Sequence, residues 1–334
     1  MSNKRTILLV GDVVDDSPYP GERPVFDEDN PSRSDVAHLT SWIQEAGYTV
    51  DVCDSVSSFV ISTYKDVLVF PLWRGGASRN RTAIVPAQCE ERGLPFVGGD
   101  AYVQALCQDK SLSKLVASAS GIAVPREIVL RSENDLRSFL PSSQIRRPFV
   151  VKPLYSACSI GIDDSSLCHD DDVARCKAES LFAAGLGPVV CEEFIEGEEI
   201  SLCFVEEHGV LVSQCVGVYQ GSDGRSPFYS RLFTFADKTC ATPTWRVSSL
   251  PNRVADGVWA LAESLTRKLG KVDLMRIDGR LTENGFVLIE LTPDIHMGLD
   301  SMFLGSFSAS GYPPTAVLDG VIRSSLSNHA AQRP

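Results

Sequence analysis

The chain has 334 residues, 43% of them apolar and 22% charged, enough for a sizeable core spread over two or three units. No apolar run approaches the roughly 20 residues of a membrane helix, and a formal net charge of −12 argues against a nucleic-acid binder, whose balance is usually basic. The ten cysteines show no CxxC pair and no zinc spacing, so they read as buried free thiols in a reducing cytoplasm.

The opening MSNKRTILLV has no long apolar stretch and no small-residue cleavage site, so Thr6 to Val10 is read as the first core strand and not as a leader. A long polar loop, Asp15 to Ser34, follows. Ser34 to Ala46 carries helical periodicity, with Val36, Leu39, Trp42 and Ile43 on one side and Gly47 as a stop. Tyr48 to Val52, Val67 to Phe70 and Pro95 to Gly99 read as further strands. This alternation predicts an open parallel sheet with helices packed on it. Beyond Ala101 a single helix is expected over Tyr102 to Ser118, then strands at Ile128–Leu130 and Phe149–Lys152, a helix over Asp170 to Ala184 and a strand from Pro188 to Phe194. The last part alternates with period two in Glu199–Glu206, Val210–Tyr219, Val272–Leu281 and Gly285–Leu291, with a helix over Val254 to Leu269, which predicts a mostly antiparallel sheet. The expected class is therefore α/β with an α+β C-terminal part, and a cleft between two α+β units is a natural nucleotide grip.

Four segments carry candidate chemistry. Phe149-Val150-Val151-Lys152 delivers a cation to a strand end, and the small residues Ser156 to Gly161 after it allow backbone N–H groups close to a phosphate; an ordinary hairpin is the alternative. Glu192-Glu193-Phe194-Ile195-Glu196-Gly197-Glu198-Glu199 clusters carboxylates suited to ribose hydroxyls or an adenine amino group, or is a solvated acidic turn. Arg276 and Asp278 share one strand face, as do Glu290 and Thr292 on the next strand. Two such carboxylates make a hard oxygen site for Mg²⁺ held with phosphates; Arg–carboxylate pairing is the alternative. Lys110, in Gln108-Asp109-Lys110, is a second phosphate cation or a surface lysine.

In this order and spacing, Lys110, Lys152-Pro153 with its SIG loop, EEFIEGEE, RIDG and the glutamate strand resemble the D-alanine–D-alanine ligase branch of the ATP-grasp superfamily, over roughly residues 65 to 305. The resemblance implies an N-terminal pre-ATP-grasp domain (1–103), a small central α+β domain (104–193) and a C-terminal antiparallel-sheet domain with the metal site (194–334). It implies a cytoplasmic carbon–nitrogen ligase using ATP and two Mg²⁺ ions, with small carboxylate and amine substrates, no nucleic-acid or membrane partner, and a homodimer as the common assembly. Carried over by position, Lys110 and Lys152 contact the ATP phosphates and base. Glu192, with Glu193 and Ile195 beside it, sits at the adenine and Glu199 at the ribose. Ser156, Cys158 and Ser159 lie in the loop over the phosphates. Asp278, Glu290 and Thr292 hold metal, Arg276 stabilises the oxyanion, and Ser301 with Met302 faces the second substrate's carboxylate.

The chain departs from that family where substrate is chosen. Gly11 to Asp16 replaces the motif that holds an ammonium, leaving Asp15 or Asp16 as the candidate grip. Gly76-Ala77-Ser78-Arg79-Asn80-Arg81 puts two arginines where the family has carboxylates, which points to an anionic substrate group, with Arg74 and Arg79 as candidates, or is a helix start whose arginines face water. The covering loop lacks its lysine, with Arg231 or Lys238 as replacement, and its metal-binding asparagine is Thr292. His296, Asp294 and Asp300 are substrate candidates, or His296 is structural. These departures lead to the expectation of a ligase of specialised metabolism, such as antibiotic biosynthesis, and not of cell-wall synthesis. Intramolecular ring closure of an amino-acid derivative and an inactive nucleotide-binding protein are the alternatives.

Overall fold

The computed structural model describes residues 5–16, 29–240, 242–250, 252–298 and 301–332. Thr6–Val10 (β1), Arg33–Glu45 (α1), Thr49–Cys53 (β2), Val56–Ile61 (α2), Val67–Pro71 (β3) and Ile84–Arg92 (α3) build the first unit. Its parallel sheet has the order β2-β1-β3. Pro95–Gly99 is not a strand in this sheet. Val69 donates to Pro95 O and accepts from Val97 at 2.9 Å each, and the pairing stops at one bridge to Phe96. Pro95 has no N–H to extend the ladder, and Gly98, with φ 94°, turns the chain away.

The single helix expected after Ala101 is two, Ala101–Gln108 (α4) and Lys110–Ala119 (α5). Asp109 is extended (φ −90°, ψ 103°), and its carboxylate accepts from Ser111 N and Leu112 N at 3.0 Å each. An N-cap of this strength competes with helix continuation and restarts the helix in a new direction. Lys110 thereby becomes the first residue of α5, and it is buried.

Glu127–Leu130 (β4), Phe149–Pro153 (β5), Leu167–Cys168 (β6), Asp171–Ala183 (α6) and Val189–Glu193 (β7) form a small sheet of order β4-β7-β5-β6. Its core, with Phe149, Val151, Leu181 and Cys191, belongs to this unit alone. Glu198–Glu207 (β8), Val210–Gly221 (β9), Phe235–Lys238 (α7), Trp245–Ser249 (β10), Asp256–Leu269 (α8), Leu274–Thr282 (β11), Gly285–Thr292 (β12), Met302–Ala309 (α9) and Pro314–Gln332 (α10) complete the chain. The antiparallel order is β10-β9-β8-β11-β12. Its edge strand β10 and the two C-terminal helices are not signalled by the period-two pattern.

One face of this large sheet shares a core with the first unit, in which Ile7, Leu39, Val205, Leu274, Phe303 and Leu318 meet. A buried polar hub reinforces the junction. Asp273 pairs with Lys271 (2.5 Å) and accepts from Gly98 N and Asn328 Nδ2 (2.8 Å each), while Asn328 also donates to Glu206 Oε1 at 3.1 Å. Every partner of this buried charge comes from a different segment, so removing one strands the others in a dry site.

Strand β11 is irregular between Asp278 and Gly279, which brings its backbone close to β12. A Cβ on Gly279 would lie 2.4 Å from Val287 O and 2.5 Å from the Phe286 ring. Gly279→Ala is expected to destabilise the protein by about 2 kcal/mol or more, read as a lowered midpoint in urea unfolding.

Candidate functional site

The strands above bring their chemistry to one cavity of about 420 Å³ between the small sheet and the large one. Strand periodicity decides which side chains reach it. Asp278 is in register with Glu290 across β11–β12 and with Ser201 across β11–β8, and Arg276 is in register with Thr292. All five therefore stand on one sheet face, and all five line the cavity.

The Asp278 carboxylate is held by four contacts. Arg276 Nε donates to Oδ1 at 2.7 Å and to Oδ2 at 3.0 Å, Ser201 Oγ to Oδ1 at 2.6 Å, and Thr292 Oγ1 to Oδ2 at 3.1 Å. Burial disfavours the Arg276 charge, but Asp278 outweighs it and raises the guanidinium pKa above its ordinary value. Glu290 pairs with Lys110 Nζ at 2.8 Å. Burial opposes its ionisation, yet Lys110 holds its pKa below the ordinary value. Lys110 is pushed down by burial, and Lys152 and Arg81 add to that push. A buried cation near two others gains from an anionic ligand.

A second buried cluster lies beside it. Lys152 Nζ contacts Glu192 Oε1 at 2.6 Å, and Lys114 reaches both Glu192 and Glu127. Burial raises the Glu192 pKa, but the two lysines prevail and hold it at about 2. Lys114, four residues after Lys110, escaped the sequence reading; the i, i+4 spacing that puts both on one helix face is the signal that would have found it.

The loop after β5 is clamped from the first unit, α4 and α5. Gln108 Nε2 donates to Tyr155 O at 2.6 Å, Arg81 NH1 to the same oxygen at 3.0 Å, and Lys110 Nζ to Ser156 O. Cys158 and Ser159 both adopt left-handed backbone (φ 53° and 55°), which costs each about 1 kcal/mol or more. Such turns orient successive N–H groups into anion-accepting concavities. Ser159 Oγ donates to Phe233 O at 3.1 Å, tying this loop to the segment that covers the cavity.

Glu193, Ile195, Glu199, His296 and Ser301 also line the cavity, with Ser156 and Cys158. Burial raises the Glu199 pKa, and Arg280 NH2, at 3.1 Å, opposes it. Ser301 caps α9, accepting from Leu304 N at 3.1 Å. His296 stacks edge-on against Trp73 at 4.6 Å and faces Asp35 at 3.8 Å. Burial opposes the Asp35 charge, but His296 and Ser32 hold its carboxyl at about 2. Asp29 and Asp294 occupy the same wall. Burial, with Asp29 adding to it, lifts Asp294 to about 7. Asp29 lies within the polar loop expected at Asp15 to Ser34, most of which (17–28) lies outside the described residues.

Several predicted residues are placed elsewhere. Arg74 pairs with Asp12 at 2.7 Å, Arg79 is exposed and 5.9 Å from the Tyr155 ring centroid, and Arg231 forks onto Asp237 at 2.8 and 2.9 Å. None of the three lines the cavity. Arg81 is buried and donates to the main-chain oxygens of Arg74, Ser78 and Tyr155, so its charge braces the chain. Asp15 and Asp16 bind Arg33 and Ser34 at the start of α1. Asp300 lies outside the described residues. Thr292 donates to Asp278, an orienting contact for that carboxylate.

Among the described residues, no three His, Cys, Asp or Glu side chains form a metal cluster of their own. The donor set still fits Mg²⁺, which commonly takes one or two carboxylates and completes its shell with phosphate oxygens and water. Asp278 and Glu290, opposed in register and open to the cavity, are such a pair.

A protein family described as D-ala D-ala ligase C-terminus matches residues 116–323. The D-alanine–D-alanine ligase of Mycobacterium avium is 26% identical over 270 residues, covering 80% of this chain and 71% of that protein. That of Corynebacterium jeikeium is 28% identical over 247 residues, covering 73% and 64%. The fold is similar to D-alanine–D-alanine ligase from Bacillus anthracis complexed with ATP (TM-score 0.71, 18% identity, 99% of this chain and 100% of that one). It is also similar to VanG D-Ala:D-Ser ligase from Enterococcus faecalis (TM-score 0.65, 16% identity, 96% and 99%).

The Glu192 cluster makes the fold acid-sensitive. Its folded carboxyl titrates at about 2 against an ordinary 4.5, so its contribution is complete above about pH 4.5 and is lost as pH falls towards 2. The stability advantage of the parent over Glu192→Gln, from urea unfolding, is expected to shrink by on the order of 3 kcal/mol between pH 6 and pH 2.

Proposed function

Because the chain belongs to the D-Ala–D-Ala ligase C-terminus family, and so is an ATP-grasp carbon–nitrogen ligase, we propose that it activates a substrate carboxylate with ATP and joins it to an amine. The observation that carries this reading is the convergence on one cavity of Lys110, Lys152, Arg276, Asp278 and Glu290. Cations grouped with two opposed carboxylates suit a polyphosphate and its divalent ion, and an isolated buried charge would have no such use.

In this reading the three units are residues 1–103, 104–193 and 194–334. The nucleotide lies between the small and large sheets. Glu192, Glu193 and Ile195 meet the base, Glu199 the ribose, and Lys110 and Lys152 the phosphates. Ser156, Cys158 and Ser159 present loop N–H groups to the phosphate end. Mg²⁺ held by Asp278 and Glu290 would neutralise phosphate oxygens during transfer. The carboxylate oxygen of one substrate attacks the γ-phosphorus and the bond to ADP breaks. The amine nitrogen of the other then attacks the carbonyl of the resulting acyl phosphate, phosphate leaves with the C–O bond electrons, and the amine loses a proton. Arg276, fixed by Asp278, stabilises the negative charge that builds on the carbonyl oxygen.

The relatives named above are ligases of D-alanine or D-serine, but a pair of other substrates is favoured here. Asp15 and Asp16, the candidate ammonium grip, are tied to α1, and the wall facing the reacting end is built from Asp29, Asp35, Trp73, Asp294 and His296. Specialised metabolism is the setting this supports. A phosphate-release screen of carboxylates and amines with Mg-ATP, with mass spectrometry of the product, identifies the pair. On that pair, Asp278→Asn and Glu290→Gln are each expected to release phosphate at least ~100-fold more slowly, within the range of lost electrostatic transition-state stabilisation. A rate equal to the parent's would remove the metal assignment. D-Alanine alone is expected to give the weakest turnover among amino acids that react.

A further inference from the structure

The sheet face that carries the charged groups continues into an aromatic wall. Tyr219 on β9, Trp245 on β10 and Phe233 before α7 all line the cavity and keep part of their surface open. Phe228 is fully buried behind them. The rings brace one another, with centroids 4.4 Å apart for Tyr219–Phe233, 4.7 Å for Phe228–Phe233, 4.8 Å for Tyr219–Trp245 and 5.3 Å for Phe233–Trp245. These are the tilted and edge-on arrangements that aromatic pairs prefer.

The wall is held in place by contacts of its own. Arg280 donates to Phe228 O and to Arg231 O (3.0 Å), Arg231 lies 4.4 Å over the Phe228 ring and forks onto Asp237, and Thr234 caps α7 with Asp237. Aromatic surface fixed in this way inside a cavity gains stability when an apolar group covers it.

Position sets what that group is. In the order β10-β9-β8-β11-β12, Tyr219 stands two strands from Asp278 and Trp245 three. At about 4.8 Å per strand and about 3.4 Å per residue, the register puts the backbone of Tyr219 roughly 12 Å and that of Trp245 roughly 20 Å from the backbone of Asp278. A methyl side chain at the reacting centre does not span that distance. We propose that this wall binds a bulky aromatic side chain of an amino-acid substrate, and so sets the enzyme's specificity. The proposal rests on the ligase reading above.

Calorimetric titration of the protein saturated with MgADP tests it, using phenylalanine, tryptophan and alanine in both enantiomers. Phenylalanine or tryptophan is expected to bind at least tenfold more tightly than alanine. Trp245→Ala and Phe233→Ala, both at partly open positions with Phe228 left intact, are expected to abolish that preference, and Trp245→Phe to keep it. Affinity for MgADP is expected to stay within threefold. Equal binding of the three amino acids, or a preference that neither alanine variant moves, overturns the proposal. So does a loss of MgADP affinity in the variants, which assigns the rings to the nucleotide base. Failure of the parent to bind MgADP is a separate result, and it removes the ligase reading itself.

Discussion

A lysine ammonium is buried only where carboxylates meet it, and three lysines impose that requirement on one small region. Lys114 sits between Glu127 and Glu192, Lys152 completes Glu192, and Lys110 answers Glu290. The partners come from α5, β4, β5, β7 and β12, so charge neutrality is satisfied only when the small sheet, α5 and the large sheet are assembled. The desolvation of each ion is several kcal/mol before pairing. The arrangement therefore does more for specificity of assembly than for net stability.

The alternation of a single sheet face divides that cleft by chemistry. Charged groups stand on β12, β11 and β8, and rings stand on β9 and β10. Gly217, between them on β9, has no room for a Cβ, because Ser306 Oγ would lie 2.1 Å and Met302 Sδ 2.6 Å away. Helix α9 settles into that gap and brings Ser301 to the cavity edge. One missing side chain thus seats the helix that closes the substrate end.

Sequence alone resolved the elements with strong periodicity and the residues whose type and strand phase were informative. Period two placed Arg276, Asp278 and Glu290 on the common face that lines the cavity, and Lys152, which ends an apolar run, lines it too. Lys110 also lines the cavity, but its setting was misjudged, since the restart of the helix depends on the Asp109 side chain capturing two amides. Lys114 looked like any surface lysine until Glu127, Glu192 and burial surrounded it. Arg74, Arg79 and Arg231 carried the right charge for an anionic substrate, yet each found a nearer partner. Strand β10 has too little alternation to stand out, and its role comes from pairing with β9. The aromatic wall was invisible because Phe228 and Phe233 lie in an irregular segment without periodicity and Trp245 joins Tyr219 only through the pairing of β10 with β9.

The hub at Asp273 has a mechanical meaning. Gly98, Glu206, Lys271 and Asn328 lock the segment after the first sheet, the last helix and the large sheet into one frame, and a shared apolar core lies beside them. The small sheet keeps a private core and is joined to that frame through residues 120–126 and 194–197. Lys114 of α5 reaches across to Glu127 and Glu192, so the small sheet is fastened to its neighbours by a buried ion pair and two short connections and not by a shared apolar core.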